Sequence, residues 1–263
     1  MINRFKVFKI TTITVTLGVC FSTAYAINVN VDQKVIDRSS DFFKRGMSAY
    51  KNGQTDQAIS ALHCAANMGH IGANWKLGYI YANGDGVPEN HYKAYNYFAH
   101  IVEKGADPGS ENESYVSDAL VKLAGYIKKG LPDSPVKADP FYAVNLYMQA
   151  ATNYRNPQAQ YYLGRMLLNG EGGERNPIQA ARWFQLAAKK GNSPAQAMLG
   201  NMLFQVGETV RGVAMLTAAY EKANVEDQNW IRPMQERAFA ICNEFERRTA
   251  MSLAIDILEK GNS

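Results

Sequence analysis

The chain has 263 residues, is 46% hydrophobic and 20% charged, and carries a formal net charge of +4. That length accommodates one elongated domain or two small ones. Arg4, Lys6 and Lys9 carry +3 of the charge within a 26-residue start that holds no acid, so the remainder carries +1 and lacks the basic face that nucleic-acid binding requires.

Residues 1–26 read as a secretory leader. Asn3 to Lys9 form a basic start, Ile10 to Phe21 an apolar run, and Ala24-Tyr25-Ala26 an Ala-x-Ala cleavage site. Cleavage is expected after Ala26, leaving a soluble exported chain. The alternative is lipidation at Cys20, which Val19 disfavours because a small residue is wanted before the cysteine. No later segment approaches the ~20 apolar residues of a membrane span. Residues 27–38 show no periodicity and are expected to form a mobile arm.

Residues 39–224 repeat. Leu77-Gly78, Leu123-Ala124, Leu163-Gly164 and Leu199-Gly200 mark one register, and the last two pairs lie 36 residues apart. A period of that size belongs to stacked helical hairpins. The partner helices show small or apolar residues at relative positions 0, +3, +7, +8 and +11. These are Ala58, Ala61, Ala65, Ala66, Gly69; then Ala94, Tyr97, Ile101, Val102, Gly105; then Ala143, Leu146, Ala150, Ala151; then Ala180, Trp183, Ala187, Ala188, Gly191. Ala214, Ala218 and Ala219 complete the series in the fifth unit. Such spacings keep one helical face.

In chain order, the first hairpin is expected over 39–52 and 55–68, and the second over 72–83 and 90–104. A polar insertion follows at 105–112. The third hairpin carries a loop at 130–140, stiffened by Pro132, Pro135 and Pro140; it reads equally as a functional loop or a tolerated insertion. The fourth and fifth hairpins are regular, the fifth turning at Val206-Gly207-Glu208-Thr209. Residues 225–263 read as a capping helix pair over 227–245 and 247–260, with Pro233 fitting only near a helix start. The expected fold is therefore all-α: a right-handed α-solenoid of about five hairpins plus a C-terminal capping pair.

No catalytic constellation emerges, so the chain is not expected to be an enzyme or to bind a cofactor. Gly84-Asp85-Gly86 follows a helix rather than a strand and fails as a phosphate loop, as does Gly172-Gly173. Cys64 and Cys242 fall near opposite ends of such an array, out of disulfide reach, and no Cys or His spacing suggests a metal site. Binding is the remaining activity. The residues two before and two after each Leu of the register should tilt into a groove: Trp75 and Tyr79, Val121 and Gly125, Tyr161 and Arg165, Ala197 and Asn201. Of these, Trp75, Tyr79, Tyr161, Arg165 and Asn201 are the candidate partner contacts; for Trp75 and Tyr161 the competing reading is core. All 4 histidines, His63, His70, His91 and His100, fall in the first two hairpins. That places a pH-sensing reading beside chance clustering.

The repeats resemble the Sel-one-like subclass of tetratricopeptide repeats, on their Leu-Gly register and on Gly84-Asp85-Gly86-Val87-Pro88 and Gly170-Glu171-Gly172-Gly173. The first hairpin looks more like an ordinary tetratricopeptide unit. The whole chain is similar to the exopolysaccharide-production negative regulators of alphaproteobacteria. That likeness rests on the leader, Tyr50-Lys51-Asn52-Gly53-Gln54-Thr55, Tyr115 to Leu120, Pro132 to Val136, Ala181 to Ala188 and Gly200 to Gln205. It implies a periplasmic repressor that binds the periplasmic domain of a membrane sensor histidine kinase of a two-component system and keeps it inactive. The alternative is a periplasmic scaffold for an envelope polysaccharide assembly complex.

Overall fold

The computed structural model describes residues 18–260, with side chains from 33 to 259. The leader's basic start, Cys20 and the cleavage site at Ala26 lie outside the residues whose side chains are described. Among the described residues every regular element is an α-helix. The chain divides into two compact units, one ending at Ala73 and one beginning at Asn74. The boundary falls inside a helix, where the sequence pattern gives no sign of it.

The first unit is a hairpin of α1 (Gly18–Lys51) and α2 (Thr55–Asn67). Residues 27–38, expected to be an arm, are helical as part of α1. No glycine or proline interrupts residues 27–45, and extending an existing helix costs far less than nucleating one. The turn is made by Gly53 at φ +73°, and the Gln54 N–H donates to the Ala49 carbonyl at 2.9 Å. Leu62 of α2 is fully buried against Gly46 of α1; a Cβ at Gly46 would stand 2.8 Å from the Leu62 Cγ.

Helix α3 (Ile71–Asn83) crosses the boundary, and the second unit continues with α4 (His91–Lys104), α5 (Glu113–Lys129), α6 (Pro140–Asn153), α7 (Pro157–Asn169), α8 (Pro177–Ala188), α9 (Ser193–Gln205) and α10 (Thr209–Lys222). The contact of Gly46 with Leu62 recurs here in larger form. A Cβ at Gly78 would lie 2.8 Å from the Phe98 ring, and one at Gly164 would lie 2.7 Å from the Phe184 ring. Both rings are fully buried. The residue that fills each hairpin is thus Leu62, Phe98, Tyr147, Phe184 and Leu216, the first four of them four positions after the first small residue of the helix that carries it. The spacing 0, +3, +7, +8, +11 omits that position.

In the fifth hairpin the register differs from expectation. Gly212 faces Gly200: a Cβ at Gly200 would stand 2.9 Å from the Gly212 carbonyl oxygen. Counted from Gly212, Leu216 is again the fourth residue on. Gly200 and Leu216 are 16 residues apart, whereas Gly164 and Phe184 are 20 apart. With Ala214, Ala218 and Ala219 at +3, +7 and +8 the first position of the spacing falls at Arg211, so the facing residue lies one place later than the spacing gives. Ala214, Ala218 and Ala219 are buried in the core beyond it.

Helix starts are fixed by Asx caps. Asn90, Asp139, Asn156, Asn176 and Asn192 each accept a hydrogen bond, at 2.8–3.0 Å, from the N–H three residues on. Proline follows at once at Pro140, Pro157 and Pro177, where a missing N–H is harmless. Pro140, read as loop, is therefore the first residue of α6. The loop before it is ordered by its own bonds: Leu131 N–H to Val136 O at 2.9 Å, and Ser134 Oγ to Leu131 O at 2.9 Å. Gly172 lies directly against the backbone of Pro140 and Phe141, with no room for a side chain, which accounts for its glycine without any phosphate.

The cap is α11 (Val225–Ile241) and α12 (Glu244–Lys260), with α12 against α10. The expected break near 246 falls instead at Cys242-Asn243. There Asn243 and Glu246 form a reciprocal capping box at 2.9 Å each way. Pro233 sits in the interior of α11, contrary to expectation, because Asn224 caps the helix earlier through the Asp227 N–H at 2.8 Å.

These contacts predict an asymmetry between glycines. Gly164→Leu should cost roughly 1–3 kcal/mol by overpacking against Phe184. Gly173→Leu should stay within about 0.5 kcal/mol, because Gly173 has open space and no positive φ. Urea midpoints of the two variants measure this; equal losses would contradict the packing.

Candidate functional site

The first helices of the hairpins carry the candidate contacts. Trp75 and Tyr79 stand one turn apart on α3, with ring centroids 4.8 Å apart and both side chains half-buried. Both donate to one oxygen: Trp75 Nε1 to Asp118 Oδ2 at 2.6 Å, and Tyr79 OH to the same atom at 2.8 Å. Asp118 lies on α5, with Tyr115 one turn before it, 5.5 Å from Trp75 between ring centroids. Lys122 lies one turn after, its ammonium 4.7 Å from the Tyr79 ring centroid. Burial first, and then the neighbouring carboxylate, hold the Tyr79 hydroxyl far above its usual range, so it remains a neutral donor.

Asp118 is the residue that sequence reasoning missed. The groove rule chose Val121 and Gly125 for this helix; Val121 is buried, and Gly125 sits beneath the Tyr147 hydroxyl. The face of α5 toward α3 is Tyr115, Asp118 and Lys122, at spacings of three and four. That alternation of aromatic, acid and base on one stripe was the available signal.

The other candidates fall elsewhere. Tyr161 is 6% exposed and packs in the core beside Phe184, at 6.1 Å between centroids, with only an edge left to the cavity beside Arg165. Ala197 is likewise fully buried. Arg165 is exposed, its guanidinium 5.8 Å from the Tyr161 ring centroid. Together they edge a polar cavity of about 690 Å³ that Tyr162, Asn192, Asp227 and Trp230 also line. Trp230 Nε1 donates to Asp227 Oδ1 at 3.0 Å, repeating the indole–carboxylate pairing of Trp75 and Asp118. Asn201 lines a different and larger groove among α8, α9, α10 and α12. The structure therefore brings Trp75 and Tyr79 together but does not join them with Asn201.

The histidines are also separated. His63 and His70 belong to the first unit, His91 and His100 to the second. His70 stacks on Phe43 at 4.3 Å, and its Nδ1 accepts the Ala73 N–H at 3.2 Å, where a helix cap would. Burial lowers its pKa below the usual 6.5. His91 is exposed, with Nε2 2.7 Å from Glu89 and Nδ1 3.3 Å from the Tyr126 hydroxyl. Among the described residues no group of three or more His, Cys, Asp or Glu is placed to hold a metal ion. None of the described helices is long and apolar enough to cross a membrane.

The Sel1 repeat model matches residues 71–99, 117–153, 157–192 and 193–214, leaving the first hairpin outside. The chain is 39% identical over 258 residues to the exopolysaccharide production negative regulator of Rhizobium leguminosarum bv. viciae, covering 97% of each. It is 44% identical over 212 residues to the one of Rhizobium meliloti (strain 1021), covering 81% of this chain and 79% of that one. Two solved structures share the fold. A protective antigen of uropathogenic Escherichia coli with an SLR fold superposes with a TM-score of 0.69 at 22% identity, over 84% of this chain and 46% of that one. A Sel1 repeat protein from Oxalobacter formigenes gives 0.61 at 20% identity, over 84% and 89%. The fold is an α-solenoid of Sel1 type.

His70 generates a pH prediction. Its folded-state pKa is depressed, so the unfolded chain takes up the proton first as pH falls below 6.5, and stability is lost across that window. Protonation also turns Nδ1 from acceptor to donor and removes the Ala73 cap. Hydrogen exchange of residues 71–83 should quicken between pH 7 and pH 5.5. His70→Asn, which caps without titrating, should flatten that dependence; equal quickening in both proteins would contradict it.

Proposed function

The chain belongs to the family of exopolysaccharide production negative regulators, and from that premise we propose that it lowers exopolysaccharide output by binding the periplasmic domain of a membrane sensor histidine kinase and holding it inactive. The observation that carries this reading is the likeness to such a regulator along nearly the full length of both chains. Sel1 hairpins act by presenting side chains from a rigid stack, and this chain presents an aromatic pair of the kind that anchors interfaces.

The geometry of that pair supports the reading. The indole N–H and the phenol O–H are already bonded to Asp118, so their ring surfaces can be covered without stranding a polar atom. Their rotamers are fixed by the same bonds, so little side-chain entropy is lost on association. Lys122 adds a charge beside the rings that steers an acidic partner surface. A leader cleaved after Ala26 would deliver the chain to the compartment where the sensor domain lies.

Recovery from the periplasm of intact cells tests the whole reading. The wild-type chain should begin at Ile27 and co-purify with the kinase. The Trp75→Ala/Tyr79→Ala variant should be recovered in similar amount and with similar helicity, but bind the sensor domain about thirtyfold more weakly, the equivalent of losing roughly 2 kcal/mol. A lipidated Cys20 at the N-terminus would contradict the export route. Unchanged kinase binding by the variant would contradict the surface.

A further inference from the structure

The larger groove, about 1430 Å³, is lined by residues of α7, α8, α9, α10 and α12 and by the turns on either side of α8. Its lining has an unusual charge balance. Arg175, Arg182, Lys189, Lys190, Arg211 and Lys222 stand around it, and no aspartate or glutamate lines it. Arg211 has a carboxylate partner, Glu208 at 3.7 Å, which lies outside the groove. Arg175, Lys190 and Lys222 are held by the backbone carbonyls of Leu168, Arg155 and Leu258, which position them without neutralising them. Arg182 and Lys189 stand at the rim, both exposed.

Between these cations the lining is aliphatic. Leu199, Met202 and Leu203 come from α9, Met215 from α10, and Leu253 and Ile257 from α12. Ile178 and Val206 reach it while 71% and 75% exposed. Amides are interspersed: Asn169, Gln185, Gln196, Asn201 and Gln205.

We propose that this groove is a second docking surface, one that takes an acidic amphipathic helix of a partner protein, its apolar stripe on the aliphatic lining and its carboxylates on the six rim cations. Charge complementarity carries the choice of occupant. Three alternatives fit less well. Sugars stack on aromatic rings, and no Phe, Tyr or Trp lines the groove. A single acyl chain wants an unbroken apolar channel, whereas here five amides interrupt the lining; those amides suit the polar flank of a peptide. A bilayer surface cannot follow a concavity. Adaptable Met and Leu side chains are a usual lining for a helix groove. The surface is separate from Trp75 and Tyr79 and stands whether or not those residues meet a kinase.

Fluorescence anisotropy on the purified full chain tests this. The probe is a labelled helical peptide of about four turns, roughly 14 residues, with Leu at three- and four-residue spacing and Glu on both flanks. The control peptide replaces each Glu by Lys. The chain should bind the Glu peptide at least tenfold more tightly than the Lys peptide, and raising the salt should narrow the difference, because the Debye length falls from about 10 Å at 0.1 M to 3 Å at 1 M. Arg182→Glu/Lys189→Glu, two changes at the rim, should retain helicity and weaken the Glu peptide roughly tenfold. Equal affinity for the two peptides would overturn the proposal. So would retained Glu-peptide binding by the double variant, or binding to phosphatidylglycerol vesicles in preference to the peptide.

Discussion

Three of the hairpins turn on one contact: a glycine in the first helix and a bulky side chain pressed against it from the second. A mid-helix glycine costs about 1 kcal/mol relative to alanine. Fully burying a Leu or Phe side chain returns roughly 1.5–3 kcal/mol. The balance favours the glycine wherever its absent Cβ lets the larger side chain reach the helix backbone. Gly78 with Phe98 and Gly164 with Phe184 are the fullest cases. Gly46 with Leu62 is the aliphatic version in the first unit. Between α9 and α10 the approach goes further, because Gly200 and Gly212 allow backbone to meet backbone.

The binding surfaces depend on this packing. Tyr79 is adjacent in sequence to Gly78, and its ring meets Phe98 edge-on at 5.6 Å between centroids. The ring that fills the hairpin therefore also supports the aromatic pair, and the Asp118 carboxylate then fixes its polar edges. On α9 the same logic places Leu199, Met202 and Leu203 around Gly200, so the aliphatic lining of the large groove is set by the glycine contact underneath it. The helical parts of both surfaces are thus held by core geometry, which keeps their side chains preorganised.

The repeat was legible because a mid-helix glycine is costly, so its return beside leucine at one register marks a packing contact. The fillers were less so. Phe98 and Phe184 adjoin Tyr97 and Trp183, and the spacing took the neighbour at +3 and passed over the ring at +4 that points inward. The short turn at 206–208 shifted the fifth register in a way composition does not show. The Asn-Pro steps at 156–157 and 176–177 were readable as caps and starts, and the Asn243–Glu246 box likewise, but periodicity alone ran past them. Asp118 looked like an ordinary solvated acid, since its partners lie 39 and 43 residues away. Tyr161 and Asn201 were placed by the same two-before, two-after rule as Trp75 and Tyr79, but Tyr161 is largely buried and Asn201 lines a different groove, so the rule does not gather the candidates into one surface.

A double-mutant cycle between Gly164 and Phe184 tests the central contact most directly. Gly164→Ala places a methyl group where the Phe184 ring stands 2.7 Å away, so in the otherwise unchanged protein it should destabilise despite the better helix propensity of alanine. In the Phe184→Val background the ring is gone, and the same change should become neutral or stabilising. The account predicts a coupling free energy of about 1 kcal/mol or more from urea unfolding of the four proteins. Identical effects of Gly164→Ala in both backgrounds would contradict it.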